Sequence, residues 1–89
     1  RELREETGLT ASSWTRLADI VPSPGYLTER ITLFLAKGLS QGETDPDDDE
    51  FLNVERIPLT ELVEHVMRGE IEDAKTQSGL LMAARALGV

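Results

Sequence analysis

The sequence predicts an α/β fold. Its elements run helix, strand, strand, strand, helix, helix, the order expected of the later part of an α/β/α sandwich. Three observations carry this. An acidic opening segment closes on Thr7-Gly8-Leu9, with glycine where a left-handed helix cap is wanted. Residues 27–37 alternate in the two-residue period of a strand. Two later segments repeat apolar residues at helical spacing, and each is closed by a glycine, Gly69 or Gly88.

Residues 1–7 read as the end of a helix, with Gly8 as its cap and Leu9 as the hydrophobic contact beyond it. Residues 11–13 read as a short connector and 14–21 as a strand of poor alternation. Pro22-Ser23-Pro24-Gly25 is a rigid loop, because two prolines fix φ and Gly25 admits unusual geometry. In residues 27–37, Ile31, Leu33 and Leu35 face one way and Thr32, Phe34 and Ala36 the other. Apolar residues on both faces suggest a central strand. Residues 38–50 read as a loop and 51–57 as a strand that Pro58 ends. Thr60 then caps a helix to Arg68, with Leu62, Val63, Val66 and Met67 on its apolar side. The last helix spans 73–87 and packs Leu80, Ala84 and Leu87.

Composition narrows the function. The 89 residues amount to one domain at most. Seventeen acids against nine bases leave a net charge of −8, with no basic stripe to neutralise phosphates, which argues against a nucleic-acid partner. No apolar run reaches the roughly 18 residues of a spanning helix, so no membrane partner is expected. Cysteine is absent, which removes disulfide and thiolate chemistry and suits a cytoplasmic protein. An acidic protein can still act on a phosphorylated substrate when a metal ion supplies the positive charge.

Glu2, Glu5 and Glu6 stand together in the first helix. Glu2 shares a face with both others, and each like-charged pair destabilises a helix by about 0.2–0.5 kcal/mol. A hard divalent cation, Mg²⁺ or Mn²⁺, would relieve that strain through oxygen ligands. Arg1-Glu2-Leu3-Arg4-Glu5-Glu6-Thr7-Gly8-Leu9 resembles the second half of the Nudix box, G-x5-E-x7-R-E-U-x-E-E-x-G-U with U aliphatic, and meets every fixed position of that half. The first half is not among these residues, so residues 1–89 are expected to be the C-terminal portion of a single Nudix domain.

The resemblance implies a Nudix-type sandwich with a mixed sheet and hydrolysis of a nucleoside diphosphate linked to another group. It implies Glu2 and Glu6 as metal ligands, Glu5 joining them, and Arg1 orienting the carboxylates. Pro24 lies fifteen residues after Leu9, and Ser23-Pro24-Gly25 followed by Glu29 resembles the pocket-lining stretch of ADP-ribose pyrophosphatases. By that likeness Pro24, Gly25 and Glu29 bind substrate. Such enzymes also carry a loop acid before a late strand that serves as general base or binds the metal site; Glu50 is the first candidate, with Asp49 and Asp48 as alternates and Glu5 a further catalytic carboxylate. The acidic run fails as a calcium loop, because Glu50 occupies the required Gly position and Arg56 the bidentate Glu position. The resemblance also implies a homodimer.

Trp14 and Tyr26 could stack on an adenine ring, while His65, alone among apolar helix positions, reads as structural. The reading is a Mg²⁺-dependent ADP-ribose pyrophosphatase, or an enzyme acting on a similar nucleoside diphosphate sugar or coenzyme diphosphate. The alternative is a Nudix-like nucleotide-binding or regulatory module without catalysis.

Overall fold

The computed structural model describes residues 2–26, 28–42 and 54–89. Its elements are α1 (Glu2–Thr7), β1 (Leu9–Ile20), β2 (Ile31–Gln41), α2 (Leu59–Met67) and α3 (Ala74–Leu87), the mixed helix and strand content of an α/β fold. β1 and β2 pair in a sheet that has two strands among the described residues. Gly8 meets Gly42, Ser12 meets Lys37, and Asp19 meets Thr32, so one strand advances as the other retreats and the pair is antiparallel.

Contacts divide the chain into two units: Arg1–Trp14 with Ala36–Arg56, and Thr15–Leu35 with Ile57–Val89. The first holds α1, the start of β1 and the end of β2. The second holds the remainder of both strands, the connecting loop, and α2 packed on α3.

Three boundaries differ from the sequence reading. Residues 11–13 are strand rather than connector, because pairing with β2 supplies the ladder that small side chains do not favour by themselves. Residues 28–30 are not strand, so β2 starts at Ile31, and it runs past Gly38 to Gln41; residue 27 lies outside the described residues. Gly38 sits in the strand at φ +66, a conformation that L side chains rarely adopt, and the strand continues through it. Residues 54–57 are not strand, and 51–53 lie outside the described residues.

The helices follow their end signals closely. α2 begins one residue before Thr60, with Pro58 at the cap position, so Thr60 is too late to cap it. The Pro58 carbonyl accepts from Glu61 and Leu62 instead. At its other end Gly69 donates to Val66 and Glu70 to His65, the paired bonds of a Schellman motif around a left-handed glycine. α3 has the same ending, with Gly88 donating to Arg85 and Val89 to Ala84. Asp73 caps its start by accepting from the Thr76 amide at 3.0 Å.

Ala84 on α3, 4% exposed, is the one buried hydrophobic side chain among the described residues. Leu62, Val63 and Val66 are half-buried on α2, as the spacing predicts. Met67 and Leu87 were expected to pack but are exposed. Each is the last residue of its helix, where the chain turns away at a glycine.

Candidate active site

The acidic helix α1 has its C-terminal carbonyls satisfied in turn. Thr7 Oγ1 donates to the Leu3 carbonyl at 2.6 Å, and Gly8 N to that of Arg4 at 2.9 Å. Gln41 Nε2 reaches the Thr7 carbonyl at 3.4 Å, and Gly42 N donates to the Gly8 carbonyl at 2.7 Å. Arg56 holds Gln41 by donating to its Oε1 at 2.7 Å. A helix end normally leaves such groups without intrahelical partners. Here Thr7 and Gly8 supply partners for Leu3 and Arg4, and Gln41 and Gly42, at the end of β2 and just beyond it, supply those for Thr7 and Gly8, so a six-residue helix too short to be stable alone is fixed in place.

On this helix Glu5 is half-buried and Glu6 exposed. Residue 2 lies one turn before residue 6 and three positions before residue 5; adjacent positions 5 and 6 diverge around the axis. The side chain of Glu2, and all of Arg1, Asp48, Asp49 and Glu50, lie outside the described residues. Among the described residues no three His, Cys, Asp or Glu side chains converge as a metal site. The donor chemistry of α1 is nevertheless carboxylate oxygen throughout, which fits Mg²⁺ or Mn²⁺ and not a soft metal.

A cleft of about 220 Å³ flanks α1, lined by Leu3, Arg4, Leu9, Thr10, Ala11 and Trp14. Trp14 is thus placed beside the acidic helix, though neither Glu5 nor Glu6 lines the cleft.

The second unit carries the other predicted group. Ser23-Pro24-Gly25-Tyr26 is a β-turn closed by Tyr26 N donating to the Ser23 carbonyl at 3.1 Å. Proline at its second position and Gly25 at φ 88 at its third make it type II. Pro24 and Gly25 are exposed, and a Cβ on Gly25 would meet nothing within 4 Å. Tyr26 is 93% exposed. Glu29 is exposed just before β2. The structure therefore brings Pro24 and Gly25 into one turn, and sets Glu5 and Glu6 on one helix of the other unit.

Sequence reasoning passed over the charged groups at the mouth of this loop. Thr32 Oγ1 donates to Asp19 at 2.7 Å and Arg16 pairs with it at 2.5 Å; these two hold the Asp19 carboxyl below its usual range, the Thr32 bond foremost. The signal available was Arg16 three residues before Asp19. On α2, His65 lies 3.7 Å from Glu61 and 3.3 Å from Glu70, and Glu70 pairs with Arg68 at 2.5 Å. Arg68 first, then His65, lowers the Glu70 pKa. This half-exposed network ties the end of α2 to the residue after its cap, a structural use of His65.

Comparison with known proteins identifies the family to which this motif belongs. The family profile described as NUDIX domain matches residues 1–78. The chain is 40% identical over 78 residues to the ADP-ribose pyrophosphatase of Bacillus subtilis (strain 168), covering 85% of this chain and 42% of that protein. It is 37% identical over 83 residues to the ADP-ribose pyrophosphatase of Mycobacterium tuberculosis (strain ATCC 25618 / H37Rv), covering 91% and 40%. It is 35% identical over 79 residues to the GDP-mannose pyrophosphatase of Yersinia enterocolitica serotype O:8 / biotype 1B (strain NCTC 13174 / 8081), covering 85% and 41%. The chain spans about two fifths of the length of these curated relatives. With the second half of the box intact on α1 and the profile running through most of the sequence, the chain belongs to the Nudix family.

Proposed function

We propose that the protein containing this chain hydrolyses the diphosphate bond of ADP-ribose, or of a similar nucleoside diphosphate sugar, to a nucleoside monophosphate and a sugar phosphate. The observation that carries this reading is α1: a Nudix-matching carboxylate helix whose carbonyl end is pinned by Gln41 and Gly42. A site that must hold its ligands within a fraction of an ångström benefits from such a mount. Glu2 and Glu6, with Glu5, are the residues that would hold Mg²⁺ or Mn²⁺, which supplies charge neutralisation of the diphosphate and an acidified water.

The remaining roles belong to side chains. Glu50, with Asp49 and Asp48 as alternatives, takes the proton of the attacking water, and Glu5 is a further catalytic carboxylate in this reading. Pro24 and Gly25 line the sugar-diphosphate pocket, and Glu29 accepts hydrogen bonds from substrate or water. Two ADP-ribose pyrophosphatases among the relatives favour ADP-ribose, while the GDP-mannose pyrophosphatase keeps a hexose diphosphonucleoside as the second candidate. Residues 1–89 are the later portion of a single Nudix domain in this reading, supported by the exposed Trp14, Phe34 and Leu39, which a further layer would cover. A homodimer belongs to the same reading on resemblance, and a cytoplasmic location on the cysteine-free composition.

The test is turnover by the intact protein. ADP-ribose and GDP-mannose are each incubated with Mg²⁺, with and without EDTA, and the nucleoside monophosphate is followed by chromatography. Release of AMP that EDTA abolishes is the expected result. Release only from GDP-mannose would change the substrate and keep the reaction. No release from any nucleoside diphosphate compound would favour the binding module.

A further inference from the structure

Gln41, the last residue of β2, joins the end of α1, its own neighbour Gly42 and Arg56, all within one unit of the chain. Its Nε2 donates to the Gly42 carbonyl at 3.0 Å and reaches the Thr7 carbonyl at 3.4 Å. Its Oε1 accepts from Arg56 Nη2 at 2.7 Å, fifteen positions further along the chain. Gly42 is thereby held on both sides, because its amide donates to the Gly8 carbonyl at 2.7 Å.

Only one orientation of the Gln41 carboxamide serves all of these partners. Carbonyl oxygens only accept, and a guanidinium only donates. The amide nitrogen must face Thr7 and Gly42, and the oxygen must face Arg56. Turned over, Gln41 would set its oxygen against two carbonyls and its NH₂ against a cation. Gln41 and Arg56 are both exposed, so water competes for each group. The charged donor makes the stronger bond and decides the orientation.

The carbonyl that Gln41 reaches belongs to Thr7, the last residue of α1 and the neighbour of Glu6. A helix of six residues takes its direction from what holds its ends. Resting on the reading that Glu2, Glu5 and Glu6 hold Mg²⁺ or Mn²⁺, we propose that Gln41 and Arg56 are positioning residues for that metal site. Arg56 fixes which way the Gln41 amide faces, and Gln41 fixes the end of α1 through Thr7 and Gly42. Neither touches the ion. A positive charge by itself repels a cation, so any tightening due to Arg56 comes through Gln41.

The experiment measures binding of Mn²⁺ alone to the intact protein, by electron paramagnetic resonance of the free ion. Glu6→Gln should abolish binding, which locates the ion on α1. Gln41→Met, similar in length but without the amide, should weaken binding roughly two- to tenfold, the worth of one hydrogen bond. Arg56→Gln should also weaken it. In a Gln41→Met background, Arg56→Gln should leave binding unchanged or slightly tighter, since only the lost repulsion remains. Arg56→Lys keeps a charged donor and should restore binding. In turnover, Gln41→Met should raise the Mg²⁺ needed for half-maximal rate, with KM for ADP-ribose at saturating Mg²⁺ unmoved. A further readout needs no metal: hydrogen exchange of the Gly42 amide should quicken in Gln41→Met. Wild-type Mn²⁺ affinity in Gln41→Met, unmoved Gly42 exchange, or one and the same Arg56→Gln effect in both backgrounds would overturn the proposal. A wild-type protein that binds no Mn²⁺, or a Glu6→Gln protein that binds it equally well, overturns the metal reading of α1, and the positioning role falls with it.

Discussion

A Cβ placed on Gly38 would fall 1.8 Å from Ser12 Oγ across the β1–β2 ladder. Gly38 also has φ +66, so two separate costs attach to any side chain there. The Ser12 hydroxyl occupies the space the missing Cβ leaves, and donates to the Lys37 carbonyl at 3.4 Å.

Replacing Gly38 with Ala should therefore destabilise the intact protein by about 1–3 kcal/mol, from the left-handed backbone plus the displaced serine. Adding Ser12→Gly should return only the steric part. Thermal or denaturant unfolding of the single and double variants separates the two; full recovery in the double variant would mean that the backbone conformation carries no cost.

Gly25 presents the opposite case. Its φ of 88 is strained for L residues, yet nothing lies within 4 Å of a Cβ there. Gly25→Ala should cost only about 1 kcal/mol of stability, from backbone alone. Its larger effect should be on KM for ADP-ribose, if the turn lines the pocket. A stability loss with KM untouched would place the turn away from substrate.

Glu6→Gln should lower kcat by roughly 100-fold or more, given that even groups behind metal ligands are worth about 10- to 100-fold. Glu6 is exposed, so circular dichroism and melting temperature should stay near wild type. Activity within a few-fold of wild type would remove Glu6 from the ligand set.

Asp73 gives a signed pH dependence. Its folded pKa lies below the unfolded value of 3.8, held there first by Lys75 and then by Thr76. The carboxylate's contribution is complete above 3.8 and is lost as pH falls through the lower folded value. Hydrogen exchange in the first turn of α3 should accelerate in that acid range. Asp73→Asn, which keeps an acceptor but not the charge, should flatten the profile, while Asp73→Ala should expose the Thr76 amide at all pH values. Identical profiles in wild type and Asp73→Asn would assign the acid sensitivity elsewhere.

What the sequence disclosed follows the range of the forces involved. Gly8, Gly69 and Gly88 were legible because a helix end is decided within a few residues, by one backbone conformation; Asp73, read as the first residue of the last helix, is instead its cap. Gly38 was misread as a break because its justification, Ser12, lies on the opposite strand, whose bond to Lys37 spans 25 positions. Thr60 misled because Pro58 can begin a helix without a side-chain cap. At the candidate site the carboxylates of α1 were legible through their spacing, while the partners that fix the helix, Gln41, Gly42 and Arg56, were not.

The anchorage of α1 has an evolutionary corollary. Two of its ties, Gly8 to Arg4 and Gly42 to Gly8, run between main-chain atoms, and a Cβ on Gly42 would come within 3.3 Å of the Gly8 carbonyl. Main-chain ties survive most changes of side chain. Substitutions at the neighbouring residues Thr10, Ala11 and Trp14 can therefore accumulate without loosening the ties that hold α1. One anchored helix can thus be inherited unchanged by descendants whose neighbouring surfaces differ.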